Sequence, residues 1–214
     1  MKKAIFSVIT GDYDRITPAP NFPDWDCIMY IDREVDDPKG WTIRQLDKSS
    51  DPLIQSRFIK IRSHIHLSEY DLVCYIDGNQ YFLKEPPSYP IWFSHTRREN
   101  IFQEADQIIK NGRFDKNAIQ PQINYYQEKG YEDQGLYLNG FFVREHNERI
   151  NKLHDVWFRE TTRYVPRDQL SLPFAIFITG IEPENIKPAS LKEKFAVVKY
   201  AHQQKYERTS HLPG

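Results

Sequence analysis

Three stretches of this chain are short, nearly continuous apolar runs that stop at acidic residues. Ala4 to Thr10 ends at Gly11-Asp12-Tyr13, Asp26 to Asp32 carries Cys27-Ile28-Met29-Tyr30-Ile31, and Asp71 to Asp77 carries Leu72-Val73-Cys74-Tyr75-Ile76. Runs of this length, without polar alternation, suit strands buried on both faces. Such strands need covering layers above and below, so the pattern points to an α/β domain with a mixed, mainly parallel sheet flanked by helices. Trp41 to Leu46, Ile91 to Ser94, Leu138 to Arg144 and Phe195 to Tyr200 are the further strand candidates. Gly140, inside one of them, marks either a bulge or a point of close approach.

Helices fill the gaps. Asp51 as cap and Pro52 in the first turn open one whose apolar stripe reads Ile54, Phe58, Ile61, Ile65. At about 100° per residue, Arg57, Lys60 and His64 fall a quarter turn from that stripe and are expected on a cleft rim. Ile101 to Gly112, Pro121 to Lys129 and a segment through Ile150, Leu153 and Trp157 keep helical spacing. Pro166 is expected to open a further helix with Arg167, Asp168 and Gln169 in its first turn and a bend at Pro173. The reading is one domain over residues 1–202 and a polar tail over 203–214.

The charge is nearly balanced, 29 Lys plus Arg against 30 Asp plus Glu, which excludes a broad basic footprint for nucleic acid. Cys27 and Cys74 lie in apolar runs with no metal-type spacing, so they are expected as reduced, buried thiols in a cytoplasmic protein. No run of about 20 apolar residues occurs, so contact with a membrane would be peripheral. With 14% aromatics and 14 prolines, the chain suits a site for a polar ligand with flat faces, such as a sugar or nucleotide. Neither GxSxG, HExxH nor GxxxxGK[ST] is present, which removes the usual support for serine hydrolases, zincins and P-loop enzymes.

In parallel sheets, ligands sit beyond the carboxyl ends of the strands. Gly11, Asp12, Tyr13, Asp32 and Asp77-Gly78-Asn79 all fall there. Asp77 and Asn79 present a carboxylate and an amide oxygen that suit a hard cation such as Mn2+ or Mg2+. They equally suit a plain turn, with Tyr81-Phe82-Leu83 pairing back as a hairpin. Arg57 and Lys60 suit phosphate. Asp168 suits either a helix start or a general base, and His202, just past the last strand candidate, could be a metal ligand.

A series of short motifs follows in order. It comprises Tyr13-Asp14, Trp41-Thr42-Ile43-Arg44, Asp51-Pro52, Gln55-Ser56-Arg57 with Lys60-Ile61, and Tyr75-Ile76-Asp77-Gly78-Asn79. His95 with Arg97 and Arg98, Glu104-Ala105, Arg144 with His146, Trp157-Phe158 with Glu160, and Arg167-Asp168-Gln169-Leu170-Ser171 continue it. Over about residues 4 to 175 the series resembles the DUF616 glycosyltransferase-like domain family, distantly similar to family 8 glycosyltransferases. The resemblance implies a GT-A, Rossmann-like fold and transfer of a sugar from a nucleoside diphosphate sugar to a glycan or lipid-linked acceptor. It implies Asp77 at the first DxD position, Asn79 at the second and His202 as a third metal ligand, around Mn2+ or Mg2+. Gly11, Asp12 and Tyr13 would border the nucleotide, Arg57 and Lys60 would reach the donor, and Asn139 and Gly140 would face its sugar. Asp168 and Gln169 would stand near the anomeric carbon, with Arg57 assisting departure of the diphosphate. The rival expectations are a module that binds nucleotide sugar or glycan without turnover, and a hydrolase on the same scaffold.

Overall fold

The computed structural model describes residues 1–95, 97–132 and 135–198. The first apolar runs become β1 (Lys3–Ile9), β2 (Asp26–Ile31) and β3 (Thr42–Gln45). Then come α1 (Pro52–Ile61), α2 (Ser63–His66) and β4 (Leu72–Ile76), the last buried along its whole length. The middle of the chain gives β5 (Gln80–Phe82), β6 (Ile91–Ser94), α3 (Ile101–Lys110), α4 (Lys116–Glu128) and β7 (Tyr137–Glu145). It continues through α5 (Glu148–Arg163), α6 (Asp168–Thr179), β8 (Ile186–Pro188), α7 (Ala189–Lys192) and β9 (Ala196–Val198).

The main sheet has the order β3-β2-β1-β4-β7-β6-β8. β1 pairs in parallel with β2 and β4, as do β2 with β3 and β6 with β8, while β7 runs antiparallel to both its neighbours. The sheet is therefore mixed and mostly parallel, as the apolar runs predict. From β1 the chain steps outward through β2 and β3, then returns to lay β4 against the other edge of β1. The strand order reverses between β1 and β4, and in sheets of this kind such a reversal marks the crevice, beyond the carboxyl ends, where ligands are held.

Alternation along the strands divides the core. Phe6, Val8, Ile28, Tyr30, Val73, Tyr75, Trp92 and Phe142 face Ile59 and Ile61 of α1, Leu153 and Trp157 of α5, and Leu172 and Ala175 of α6. On the opposite face Ile5, Ile9, Met29, Cys74, Phe141 and Val143 are covered by Trp25, Trp41 and Ala196, with Leu191 of α7 and Phe195 alongside. Trp92 stacks on Phe142 with ring centroids 4.1 Å apart, a contact worth about 0.5–1.5 kcal/mol beyond the area it buries. A third cluster joins α3, α4 and α6 around Tyr126 and Phe174. Cys74 is buried and Cys27 half-buried, both as free thiols. Each pairs with Ile5 from opposite sides of β1, so two strand spacings, about 9–10 Å, separate them.

Several local expectations change. The helix from Asp51 ends at Ile61, because Arg62 turns out of helical geometry (φ −99°, ψ 38°), so Ile65 is exposed and His64 leaves the row of Arg57 and Lys60. The buried residues of α1 are Ser56, Ile59, Lys60 and Ile61, so Lys60 belongs to the interior and not to a rim. α4 starts at Lys116, capped by the Asp115 carboxylate, and Pro121 lies inside it at the loss of one backbone donor. Tyr81 and Phe82 pair with Val197 and Ala196 of β9, not back onto β4. The tail over 203–214 lies outside the described residues.

Candidate active site

β4 delivers Asp77 to the crevice. Its backbone N–H donates to the Gly140 carbonyl of β7 at 2.9 Å, and its carbonyl accepts from the Gln80 N–H at 3.0 Å, closing a turn through Gly78 and Asn79. The Tyr75 hydroxyl, two residues back on the same strand face, donates to Asp77 Oδ1 at 2.8 Å. Burial and the Asp77 charge push the Tyr75 phenol well up, so it stays a donor. A Cβ on Gly140 would lie 2.6 Å from both Asp77 Oδ2 and Gln80 Nε2. Gly140 is thus a point of close approach, and the β6–β7 register shifts beside it, so both readings of this glycine hold. On the other side, a Cβ on Gly78 would lie 3.2 Å from Asp14 Oδ2 and 3.0 Å from Ile9 Cγ1. The ends of β1 and β4 therefore meet at this glycine.

α1 brings two cations to the same place. Lys60, 3% exposed, donates from Nζ to Asp168 Oδ2 at 2.7 Å and stands 3.8 Å from Asp77 Oδ1. It also lies over the Tyr75 ring, 4.7 Å from the centroid. Arg57 Nε is 3.9 Å from Asp168 Oδ1 and donates to the Pro166 carbonyl at 3.5 Å. Burial by itself would raise the Asp168 pKa, but Arg57, Lys60 and Arg167 together hold its carboxyl well below the usual carboxylate range. Asp168 opens α6, and Trp157 Nε1 fixes that start by donating to the Asp168 carbonyl at 2.9 Å.

Not every expected residue joins this group. Gln169 is turned inward: its Nε2 donates to the Tyr137 carbonyl at 3.2 Å and its Oε1 accepts from Arg167. Asn139 is buried and accepts from Trp92 Nε1 at 3.4 Å, so its side chain lies in the core beside β6. Gly11 and Asp12 both take positive φ, 61° and 55°, in the turn after β1. The Gly11 N–H donates to Asp32 Oδ2 at 2.8 Å, and Asp12 pairs with Arg33 at 2.8 Å at the surface. The Tyr13 N–H donates to the Thr10 carbonyl at 3.3 Å, while Thr10 Oγ1 ties this loop to α1 through the Pro52 carbonyl at 2.7 Å. Asn79 is buried in the Asp77 turn, and His202 lies outside the described residues.

Residues that sequence reasoning left without a role complete the surroundings. Glu104, fully buried on α3, accepts from Arg167 at 2.7 and 2.9 Å and pairs with Arg98. This ion network fixes Arg167, the residue before Asp168. Burial lowers the ammonium pKa of Lys192, at the end of α7, and the charges of Asp77 and Glu193 oppose that shift. Tyr75 could have been found from the period of two along β4, which puts it on the face of Asp77. Glu104 and Lys192 carry no such signal.

The chemistry around Asp77 bears on the Mn2+ or Mg2+ that the resemblance implies. Among the described residues no three His, Cys, Asp or Glu side chains gather closely enough to hold a metal ion. Asp77 Oδ1 already faces a phenol and an ammonium, and its neighbour Asn79 brings no charge. Of the ligands the resemblance implies, Asp77 and Asn79 share this one turn, with the Asp77 side chain 30% exposed, and His202 lies outside the described residues.

Mixed α/β sheets hold ligands where their strand order reverses, and the buried Lys60–Asp168 pair lies at that place. The family model described as TOD1/MUCI70, glycosyltransferase-like domain, matches residues 78–202, and the chain belongs to that family. The match begins at Gly78, while β1 to β4 join its strands in one sheet. No curated protein matches the chain. Among the described residues no helix is long and apolar enough to cross a membrane.

Proposed function

We propose that the chain transfers a sugar from a nucleoside diphosphate sugar to a saccharide acceptor, free or lipid-linked, on a GT-A-like scaffold. One observation carries the reading: Lys60 is buried between Asp77 and Asp168 at the carboxyl end of β4, where the strand order reverses. A buried ammonium shared by two carboxylates is costly to keep unless the site uses its charge. The Gly11–Tyr13 turn borders the nucleotide, and Asp77 lies at the ribose and diphosphate.

Breaking the bond from the anomeric carbon leaves electrons on the diphosphate and positive charge on the sugar. Lys60 and Arg57 stabilise the first. Asp168 stabilises the second as a fixed anion; a carboxylate held so far below its ordinary pKa is a poor base, so acceptor activation falls elsewhere. Gln169 and Asn139 act behind these groups, holding Arg167 and the β6–β7 strands, and do not touch the sugar.

The test is to incubate the protein with a panel of nucleoside diphosphate sugars, with and without oligosaccharide acceptors, and to measure diphosphate release and product mass. Release that depends on an acceptor, and is lost in Asp168→Asn, is the expected result. Release without any acceptor would assign a hydrolase, and tight binding without release a nonenzymatic module.

A further inference from the structure

We propose that α5 sets the reach of Lys60 to Asp168: His154 and Trp157 are positioning residues that fix where α1 ends and where α6 begins. This rests on the donor reading above, in which that pair meets the charges of the departing diphosphate and the sugar, and it names what holds the pair in register.

The end of α1 needs such a hold. Its last carbonyls lack partners further along the helix, because the chain turns at Arg62. The Ile65 N–H, which would reach the Ile61 carbonyl in a continued helix, goes to the Arg62 carbonyl at 2.9 Å. His154 takes its place, with Nδ1 2.8 Å from the carbonyl of Ile61, the residue next to Lys60. A carbonyl only accepts, so Nδ1 carries the proton and donates. Burial and the Arg144 charge keep His154 neutral, which leaves it that single N–H. Two residues past Ile61, the Arg144 fork of β7 donates to Ser63 Oγ from Nη2 at 2.5 Å and from Nε at 3.2 Å.

At the start of α6 no side chain caps the first turn, and Trp157 Nε1 donates to the Asp168 carbonyl at 2.9 Å. His154 and Trp157 stand three residues apart on α5, so they share one face about 4.5 Å apart along its axis. Both are fully buried, and their rings meet edge to face with centroids 5.2 Å apart. One helix face thus grips the backbone beside Lys60 with one ring N–H and the backbone of Asp168 with the other. The 2.7 Å bond from Lys60 Nζ to Asp168 Oδ2 closes the circuit. A shift of either anchor changes that distance, and an ion pair in a dry site is sensitive to it.

The experiment follows the Lys60 ammonium of the full chain by 1H–15N correlation, its peak identified by its absence in Lys60→Met. It also measures kcat and KM for diphosphate release from nucleoside diphosphate sugars with oligosaccharide acceptors. His154→Asn keeps a donor where Nδ1 stands, whereas His154→Gln moves it one bond further along the side chain, to where Nε2 stands and away from Ile61. Trp157→Phe removes the second anchor independently of the first. In His154→Gln and in Trp157→Phe we expect the ammonium protons to exchange with water about tenfold faster or more. There kcat should fall about tenfold with KM within about twofold, and His154→Asn should recover most of the loss. No Lys60 peak in the unchanged chain, or a peak unaltered in folded His154→Gln and Trp157→Phe, overturns the inference. Equal effects of His154→Asn and His154→Gln overturn it too, since a histidine that only fills the core predicts them. Absence of diphosphate release from the unchanged chain overturns the donor reading, and the Lys60 peak then decides the positioning by itself.

Discussion

Replacing Lys60 with Met keeps the length of the side chain and removes its charge from the most buried ion pair of the crevice. In the folded chain Asp168, 2% exposed, would then keep Arg57, at 3.9 Å and outside hydrogen-bond range, and the charge of Arg167, while losing a bond of 2.7 Å. Breaking a buried pair by removing one partner costs about 3–5 kcal/mol. Arg57 and Arg167 remain near, which places the expectation at the lower end, about 3 kcal/mol. For a chain of this size that corresponds to a fall in Tm of roughly 6–12 °C. The pH dependence supplies the sharper check. Asp168 has a depressed folded pKa in the unchanged chain, so its contribution is present above the unfolded value, near 4, and is lost as pH falls toward the folded one. Without Lys60 the folded pKa rises only part of the way, because Arg57 and Arg167 still hold the carboxyl down, and acidification from pH 7 to 3 should then narrow the gap between variant and unchanged chain. Urea unfolding at both pH values measures it. A loss under about 1 kcal/mol, constant with pH, would return Lys60 to the status of a solvated residue on a helix flank and refute the reasoning.

Gly140→Ala should displace Asp77 or Gln80, since the new methyl would sit 2.6 Å from each; we expect about 1–3 kcal/mol of destabilisation and a weaker donor affinity, read by urea unfolding and calorimetry. Glu104→Gln should cost about 3 kcal/mol by leaving Arg98 and Arg167 facing a neutral amide in a fully buried place, and circular dichroism melts would detect it. Tyr75→Phe should cost about 1–2 kcal/mol of stability through the lost bond to Asp77, with the fold retained, as judged by urea unfolding.

The buried strands were legible because burial on both faces leaves a continuous apolar run, and the acidic residues that close those runs mark the carboxyl ends. Gly140 was legible for a related reason, since a glycine inside a strand needs a cause. Lys60 was misjudged: the stripe through Ile54 and Phe58 suggested one face, whereas α1 turns its Ile59–Ile61 side inward. What holds Lys60 inside is Asp168, 108 residues further along, and no local pattern encodes such a partner. β8 and α7 are too short to show a period, which hid Lys192. The partner of Tyr81 and Phe82 lies in β9, more than 100 residues later, so a nearby hairpin looked equally good. Asn139 and Gln169 are polar residues that serve the interior, and a sequence does not say which way a buried amide faces.

The central claim is that the crevice between the ends of β1 and β4 binds a nucleoside diphosphate sugar through Asp77. Isothermal titration of the UDP-, GDP-, ADP- and CDP-sugars into the unchanged chain and into Asp77→Ala, each folded by circular dichroism, tests it most directly. The account predicts saturable, one-site binding of at least one donor class to the unchanged chain and a loss of tenfold or more in Asp77→Ala. No binding by any of them, or equal affinity in the two proteins, would contradict it.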